Sequence, residues 1–334
     1  QIDYVSSKFE EPVFKPLECK ANGSTYSSKL KAVLTLTLNS GEIKEAEVFM
    51  GDIPMMTDSG TFIVNGDERV IVSQIVRSPG AYFQDTADKS GLHIYNGEII
   101  PSRGTWLQFE SDAKDMLSVR IDRQRKLHAT TLIRAIGIEN SEDIIKLFGR
   151  CDALSNTLEK EEELKIKSEK AALTDIFKKM KSGEPVTEEG IYNFLYQKFF
   201  DAKRYDLGRA GRFKFIQKLG IYQRLPGCTL AENLISSEGE LIFKEGHKLS
   251  VDDVNHLRDI EFFEKGAHSK KLKVNTRLDD HNIVNIVKVY SNNKKDKKCN
   301  IVGTDLNSTC IHVTIPDMLA IFSYFLNIMD GIGT

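Results

Sequence analysis

The chain has 334 residues, which at ~150 residues per domain predicts about two domains, or one domain carrying an insertion. Its 40% hydrophobic and 28% charged residues are ordinary for a soluble globular chain that buries a core without disulfides, and a net charge of −2 excludes a uniformly basic nucleic-acid binder. Cys19, Cys151, Cys228, Cys299 and Cys310 are odd in number, widely spaced and form no CxxC, which speaks against a structural zinc site and for a reducing compartment. The longest apolar run, Met318 to Met329, contains Ser323 and Asn327 and falls short of the ~20 residues of a membrane span. No signal peptide opens the chain, and Gln1 in place of Met suggests a piece of something longer.

Charge is distributed in blocks. Residues 200–219 carry a net +4, 232–264 a net −6 and 265–298 a net +7. Alternating blocks suggest faces with different tasks, or plain solvated surface. Lys294 to Lys298 reads as an exposed hairpin tip.

The first 65 residues read as β. Leu30 to Leu38 alternates as a half-buried strand, Asn39-Ser40-Gly41-Glu42 turns it, and Ile43 to Met50 returns. Thr61 to Val64, Asn65-Gly66 and Arg69 to Val76 form a hairpin signal, because Asn-Gly tolerates the positive φ of a type I′ turn. Ser78-Pro79-Gly80 breaks the chain, and Phe109 to Ile121 alternates again. Helices begin near Thr130. Ser141 is a candidate cap for Glu142 to Phe148, Lys160 to Lys181 shows one apolar face, and Thr187 caps Glu188 to Phe199, burying Ile191, Phe194, Leu195 and Phe199. From Leu219 short β pieces (Leu241 to Phe243, Leu272 to Val274, Ile283 to Tyr290, Ile311 to Val313) surround one helix after Ser250. A last helix opens at Thr314-Ile315-Pro316-Asp317 and stops at Gly331.

Catalytic motifs are absent: there is no P-loop, GxGxxG, HExxH or GxSxG. The histidines His93, His128, His247, His256, His268, His281 and His312 are scattered without metal-ligand pairing. Asp279-Asp280-His281 fits a metal or, equally, a turn between strands.

The run Gly51 to Gln74 (GDIPMMTDSGTFIVNGDERVIVSQ) closely resembles the β subunit of bacterial DNA-directed RNA polymerase. The resemblance continues through Arg77 to Phe83, Ile100 to Leu107, Arg120 to Leu127, Gly183 to Thr187, Arg204 to Leu207 and Gly211-Arg212. Departures are His128, where family members often have Pro, and Lys181-Ser182 in place of Arg-Pro. The resemblance implies an N-terminal fragment of that subunit with an α+β, multi-domain fold. The expected division is a partial protrusion of antiparallel β over 1–65, a mixed α/β lobe over 66–218 plus 314–334, and an inserted, mostly β module over 219–313.

It further implies one wall of the DNA channel of a nucleotidyltransferase, facing downstream duplex and the displaced non-template strand. No catalytic residue and no bound cofactor are expected in this chain, since magnesium is held by the partner β′ subunit. The implied partners are DNA, the α, β′ and ω subunits and a σ factor, in the cytoplasm at the nucleoid, with no membrane. Trp106 would stack on an unpaired non-template base, and Arg77 would be half of a pocket for a non-template guanine. Lys181, Arg204 and Arg212 would touch the non-template strand, and Arg120, Arg123, Arg125 and Lys126 would neutralise phosphates. Arg69 and Gln74 would face the rifamycin site near nascent RNA. Other readings stay open: Trp106 as a core residue, Arg69 as the partner of a neighbouring acid, and Arg204 and Arg212 as structural partners of Asp201 or Asp206. For the whole chain the rivals are a freestanding scaffold or regulator binding protein through the acidic module, and a metal-dependent hydrolase using Asp279, Asp280 and His281.

Overall fold

A computed structural model describes residues 1–87, 91–236, 239–264, 271–291 and 297–331. His268 and most of the charged tip at 294–298 lie outside the described residues. The chain is α+β and divides into two compact units, Gln1–Val76 and Arg77–Thr334. No helix among the described residues is long and apolar enough to cross a membrane.

The first unit holds β1 (Ile2–Phe9), α1 (Pro16–Asn22), β2 (Ser27–Thr37) and β3 (Ile43–Pro54), the strands pairing antiparallel in the order β1-β2-β3. Gly41 at φ +83 makes the expected turn between β2 and β3. β4 (Phe62–Val64) and β5 (Asp67–Arg69) form the hairpin around Asn65 and Gly66, whose φ values of +52 and +84 are those an Asn-Gly turn supplies. The expected strand Arg69 to Val76 is a correction: β5 ends at Arg69. Val70, Ile71, Val72, Ile75 and Val76 are exposed and find no partner strand among the described residues. A boundary at 65/66 would cut the bonded β4–β5 pair, and the division between the units falls after Val76 instead.

The second unit begins with β6 (Gly80–Ala87), β7 (His93–Ile100), β8 (Leu107–Ser111), β9 (Leu117–Ile121) and β10 (Leu127–His128), an antiparallel sheet in which each strand pairs with its chain neighbour. Alternation along β8 and β9 gives the sheet two faces. Leu107, Phe109, Leu117, Val119 and Ile121 are fully buried, each contributing about 1.5–3 kcal/mol by leaving water. Gln108, Glu110, Ser118 and Arg120 form the outer, half-exposed face. Four helices follow: α2 (Ala129–Ala135), α3 (Ser141–Phe148), α4 (Asp152–Glu163) and α5 (Glu169–Met180). The single helix expected over Lys160 to Lys181 is two, because Lys165 takes φ +60 and Ser168 Oγ restarts the chain by accepting from Ala171 N. The N-cap position of α3 is Asn140, whose side chain accepts no capping bond, and not Ser141, whose Oγ accepts from the Arg134 guanidinium at 2.8 Å.

α6 (Glu188–Phe199) starts at Thr187, whose Oγ1 accepts from Gly190 N at 3.1 Å. α7 (Gly208–Leu219) and α8 (Ile221–Arg224) follow. A second core then gathers Ile221, Leu225, Leu230, Leu257, Phe263, Val287 and Ile301. It is built by α8, β11 (Thr229–Leu230), α9 (Val251–Asp259), β15 (Ile283–Tyr290) and β16 (Lys298–Val302), with β12 (Leu234–Ile235), β13 (Leu241–Phe243) and β14 (Lys271–Lys273) beside them. Ile311 to Val313 is not a strand. The Ile311 carbonyl accepts from Leu207 N, and the neighbouring Cys310 and His312 carbonyls accept from Arg212. α10 (Ile315–Met329) opens where Asp317 Oδ2 accepts from Thr314 N at 2.9 Å, and it lies under the sheet, Phe322 at 5.4 Å and Phe325 at 6.3 Å from the Phe109 ring.

Candidate nucleic-acid interface

The loop before β8 is fastened to the segment before α7. Ser102 N and Arg103 N donate to the Asp206 carbonyl at 2.9 and 3.0 Å, and Asp206 N donates back to Arg103 at 2.7 Å. Gly104 makes this approach possible. Its φ is +133, and a Cβ there would lie 2.7 Å from Tyr205 Cδ2. Tyr205 is fully buried, and burial pushes its phenol well above the ordinary range, so it is a neutral wall. The fastening sets Trp106 and Arg204 in one neighbourhood.

Asp122 is the hub of that neighbourhood. Its Oδ1 accepts from Trp106 N at 3.1 Å and its Oδ2 from Lys198 Nζ at 2.6 Å. Asp122 and Arg123 both take positive φ, +52 and +57, which turns the chain sharply after β9. The Arg123 guanidinium consequently lies over the half-buried Trp106 ring, 4.6 Å from its centroid.

Beside this pair is a groove of about 580 Å³, lined among others by Thr105, Lys181, Asn193, Phe194, Lys198 and Arg204. α6 supplies its floor. Ile191, Leu195 and Phe199 face the core, whereas Asn193, Gln197 and Lys198 turn to the groove. Phe194, expected in the core, is only partly buried and reaches the groove. Lys198 went unassigned in the sequence. Its signal was helical spacing, since Gly190, Phe194, Gln197 and Lys198 share one side of α6.

Arg77 and Arg120 sit on the outer face of the β6–β10 sheet. Tyr82, Glu98, Gln108 and Arg120 are successive cross-strand partners. Arg77 lies over the Tyr82 ring at 4.1 Å and pairs with Glu98 at 3.4 Å. By the same alternation Trp106 shares the face of Gln108. Arg77, Trp106 and Arg120 therefore share one surface, with Arg123 above Trp106 and the groove holding Lys181 and Arg204 adjoining it.

Most of these cations already have acids. Glu110 pairs with Arg120 at 3.1 Å and Lys126 at 2.7 Å, Glu184 with Lys181 at 2.9 Å, and Asp201 with Arg204 at 3.6 Å. Such surface pairs contribute ~0–1 kcal/mol each and yield readily to a phosphate. Arg123 and Arg125 are exposed.

Arg212 is a correction to the strand-contact assignment. It is 1% exposed, and its NH1 donates to both Asp317 carboxylate oxygens at 2.9 and 2.8 Å. Burial alone would weaken its charge, but Asp317 outweighs that and the guanidinium holds its proton more tightly than usual. Locked to Asp317 inside the fold, it braces the core. Arg69 pairs with Asp67 at 3.5 Å in the first unit, where it lines an apolar hollow with Phe62, Val70 and Ile71, and Gln74 is exposed.

The sequence matches the family described as RNA polymerase Rpb2, domain 2, over residues 77–259, just over half of the chain. It is 41% identical over 99% of its length to the DNA-directed RNA polymerase subunit beta of Staphylococcus haemolyticus. It is 40% identical to the proteins of that name from Staphylococcus epidermidis and Staphylococcus aureus, again over 99% of the chain. The chain spans 28% of the length of each of these relatives. The chain belongs to the RNA polymerase Rpb2 domain 2 family.

Proposed function

We propose that this chain is a non-catalytic part of DNA-directed RNA polymerase that forms one wall of the DNA channel and holds the non-template strand and downstream DNA. The observation that carries this reading is the Asp122 hub, which joins the Trp106 and Arg123 stack to Lys198 and the groove of Lys181 and Arg204. An unpaired base displaces Arg123 from the indole and stacks there, gaining ~1–3 kcal/mol whatever its identity. The freed guanidinium then meets the adjoining phosphate, and Arg204, Lys181 and Lys198 exchange their carboxylates for the next ones. Arg77, fixed between Tyr82 and Glu98, offers its fork to a base edge.

Bond formation falls to a partner subunit that holds magnesium. The described residues supply strand positioning, with the α, β′ and ω subunits and a σ factor completing the enzyme in the cytoplasm. The test is dissociation of promoter open complexes formed by the whole enzyme. Trp106→Ala and Arg204→Ala should each shorten open-complex lifetime while nucleotide addition on a preformed elongation scaffold persists. Unchanged lifetimes in both variants would overturn the reading.

A further inference from the structure

Four residues from the β14–β15 loop and the segment between β16 and α10 meet where the second core joins α10. His281 lies in the loop between β14 and β15, Asp305 follows β16, and Cys310 and His312 precede α10. Donor atoms of His281, Asp305 and Cys310 all lie within 4.8 Å of one another. His281 Nδ1 stands 2.7 Å from Asp305 Oδ2, and His312 Nδ1 stands 3.6 Å from Cys310 Sγ. The two imidazole centroids are 5.7 Å apart.

The surroundings hold these groups in place. Asp279 Oδ1 faces His312 Nε2 at 3.5 Å and accepts from His281 N at 3.1 Å, while its Oδ2 accepts from Ile315 N. A carboxylate behind the distal imidazole nitrogen is the usual way a metal-bound histidine is oriented. Arg212 Nε donates to the Cys310 carbonyl at 2.9 Å, and its NH2 to the His312 carbonyl at 2.6 Å. The backbone carrying two of the four donors is thus pinned by a buried arginine that is itself locked to Asp317.

We propose that His281, Asp305, Cys310 and His312 bind one zinc ion, with His312 coordinating through Nδ1. The donor set decides the metal. A thiolate with two imidazoles and one carboxylate suits tetrahedral zinc, whereas magnesium and calcium select oxygen alone. Zinc–sulfur and zinc–nitrogen distances of ~2.3 and ~2.0 Å place tetrahedral ligands roughly 3.3–3.7 Å apart, so His312, already 3.6 Å from Cys310 Sγ, must turn toward the His281, Asp305 and Cys310 group to complete the shell. Coordination displaces the Cys310 thiol proton and the proton held between His281 and Asp305, both of which leave to solvent, and the thiolate and Asp305 together balance the ion's charge. The ion ties the β14–β15 loop and the segment after β16 to the start of α10. The scattered spacing 281, 305, 310 and 312 is why the sequence shows no zinc motif.

The experiment uses the assembled polymerase, purified without chelators and dialysed, with zinc counted by elemental analysis. Cys310→Ser and His281→Asn should each lose one zinc per enzyme relative to wild type, while Cys151→Ser loses none. The second measurement needs no variant. Alkylation of Cys310 by iodoacetamide, mapped by mass spectrometry, should be slowed by added zinc and accelerated by a chelator, with Cys151 unaffected. Equal zinc content in all variants that assemble, or a Cys310 rate indifferent to zinc, means that His281 and Asp305 are only an ion pair, and overturns the proposal. Should neither ligand variant assemble, the Cys310 alkylation rate decides.

Discussion

Arg123 lies over Trp106, with the guanidinium carbon 4.6 Å from the ring centroid, and the residue between Arg123 and β9 is the one that holds Trp106 by its backbone. One tight turn thus supplies both a π face and a mobile cation. That combination suits a single strand with unstacked bases better than a duplex, whose bases offer no free face.

Replacing Trp106 by Ala should remove about 1–3 kcal/mol of stacking, shortening open-complex lifetime by roughly 5- to 160-fold. Arg123→Ala should do less, because the indole remains. Competitor-challenge dissociation kinetics would measure both.

Arg204 and Arg212 should behave oppositely. Breaking the buried pair by Arg212→Ala or Asp317→Asn leaves a lone buried charge and should cost about 3–5 kcal/mol of stability in chemical denaturation. Arg204, exposed and only loosely paired with Asp201, should cost about 0.5 kcal/mol or less. Its loss should instead reduce the salt dependence of single-strand binding by about 0.7 in the log–log slope.

Gly104→Ala places a methyl against the Tyr205 ring in a backbone conformation that alanine resists. We expect a loss of about 1–3 kcal/mol and an open-complex defect like that of Trp106→Ala, since the same loop positions the indole. Thermal melting and dissociation kinetics on one preparation would check both effects.

His128 provides a pH signature. Burial, aided by Lys179, lowers its pKa below the ordinary 6.5. The folded chain therefore resists protonation more than the unfolded chain does. Its contribution is fully present above about pH 6.5 and is lost as pH falls through the lower, folded value. Melting temperatures between pH 7.5 and 5 should fall more steeply for wild type than for His128→Gln.

The sequence made local signals readable. Asn65-Gly66 announced its turn, the β8 and β9 alternation announced a two-faced sheet, and Thr187 and Thr314 announced their helices. What it hid depends on distant partners. α7 carries Gly208, Gly211 and several cations on all sides, so no apolar stripe marks it. Arg212 looked like its exposed neighbours because Asp317, which buries it, lies 105 residues away. Trp106 and Arg204 were both singled out from their motifs. Their nearness was not readable, because it rests on a glycine meeting a tyrosine across the fold.

The most direct measurement places 2-aminopurine in the unpaired non-template strand at the downstream edge of the bubble and follows its fluorescence in open complexes. The account predicts quenched emission with Trp106 present, and brighter emission at one position of the strand in Trp106→Ala. Identical emission from the two enzymes at every position across the bubble would contradict it.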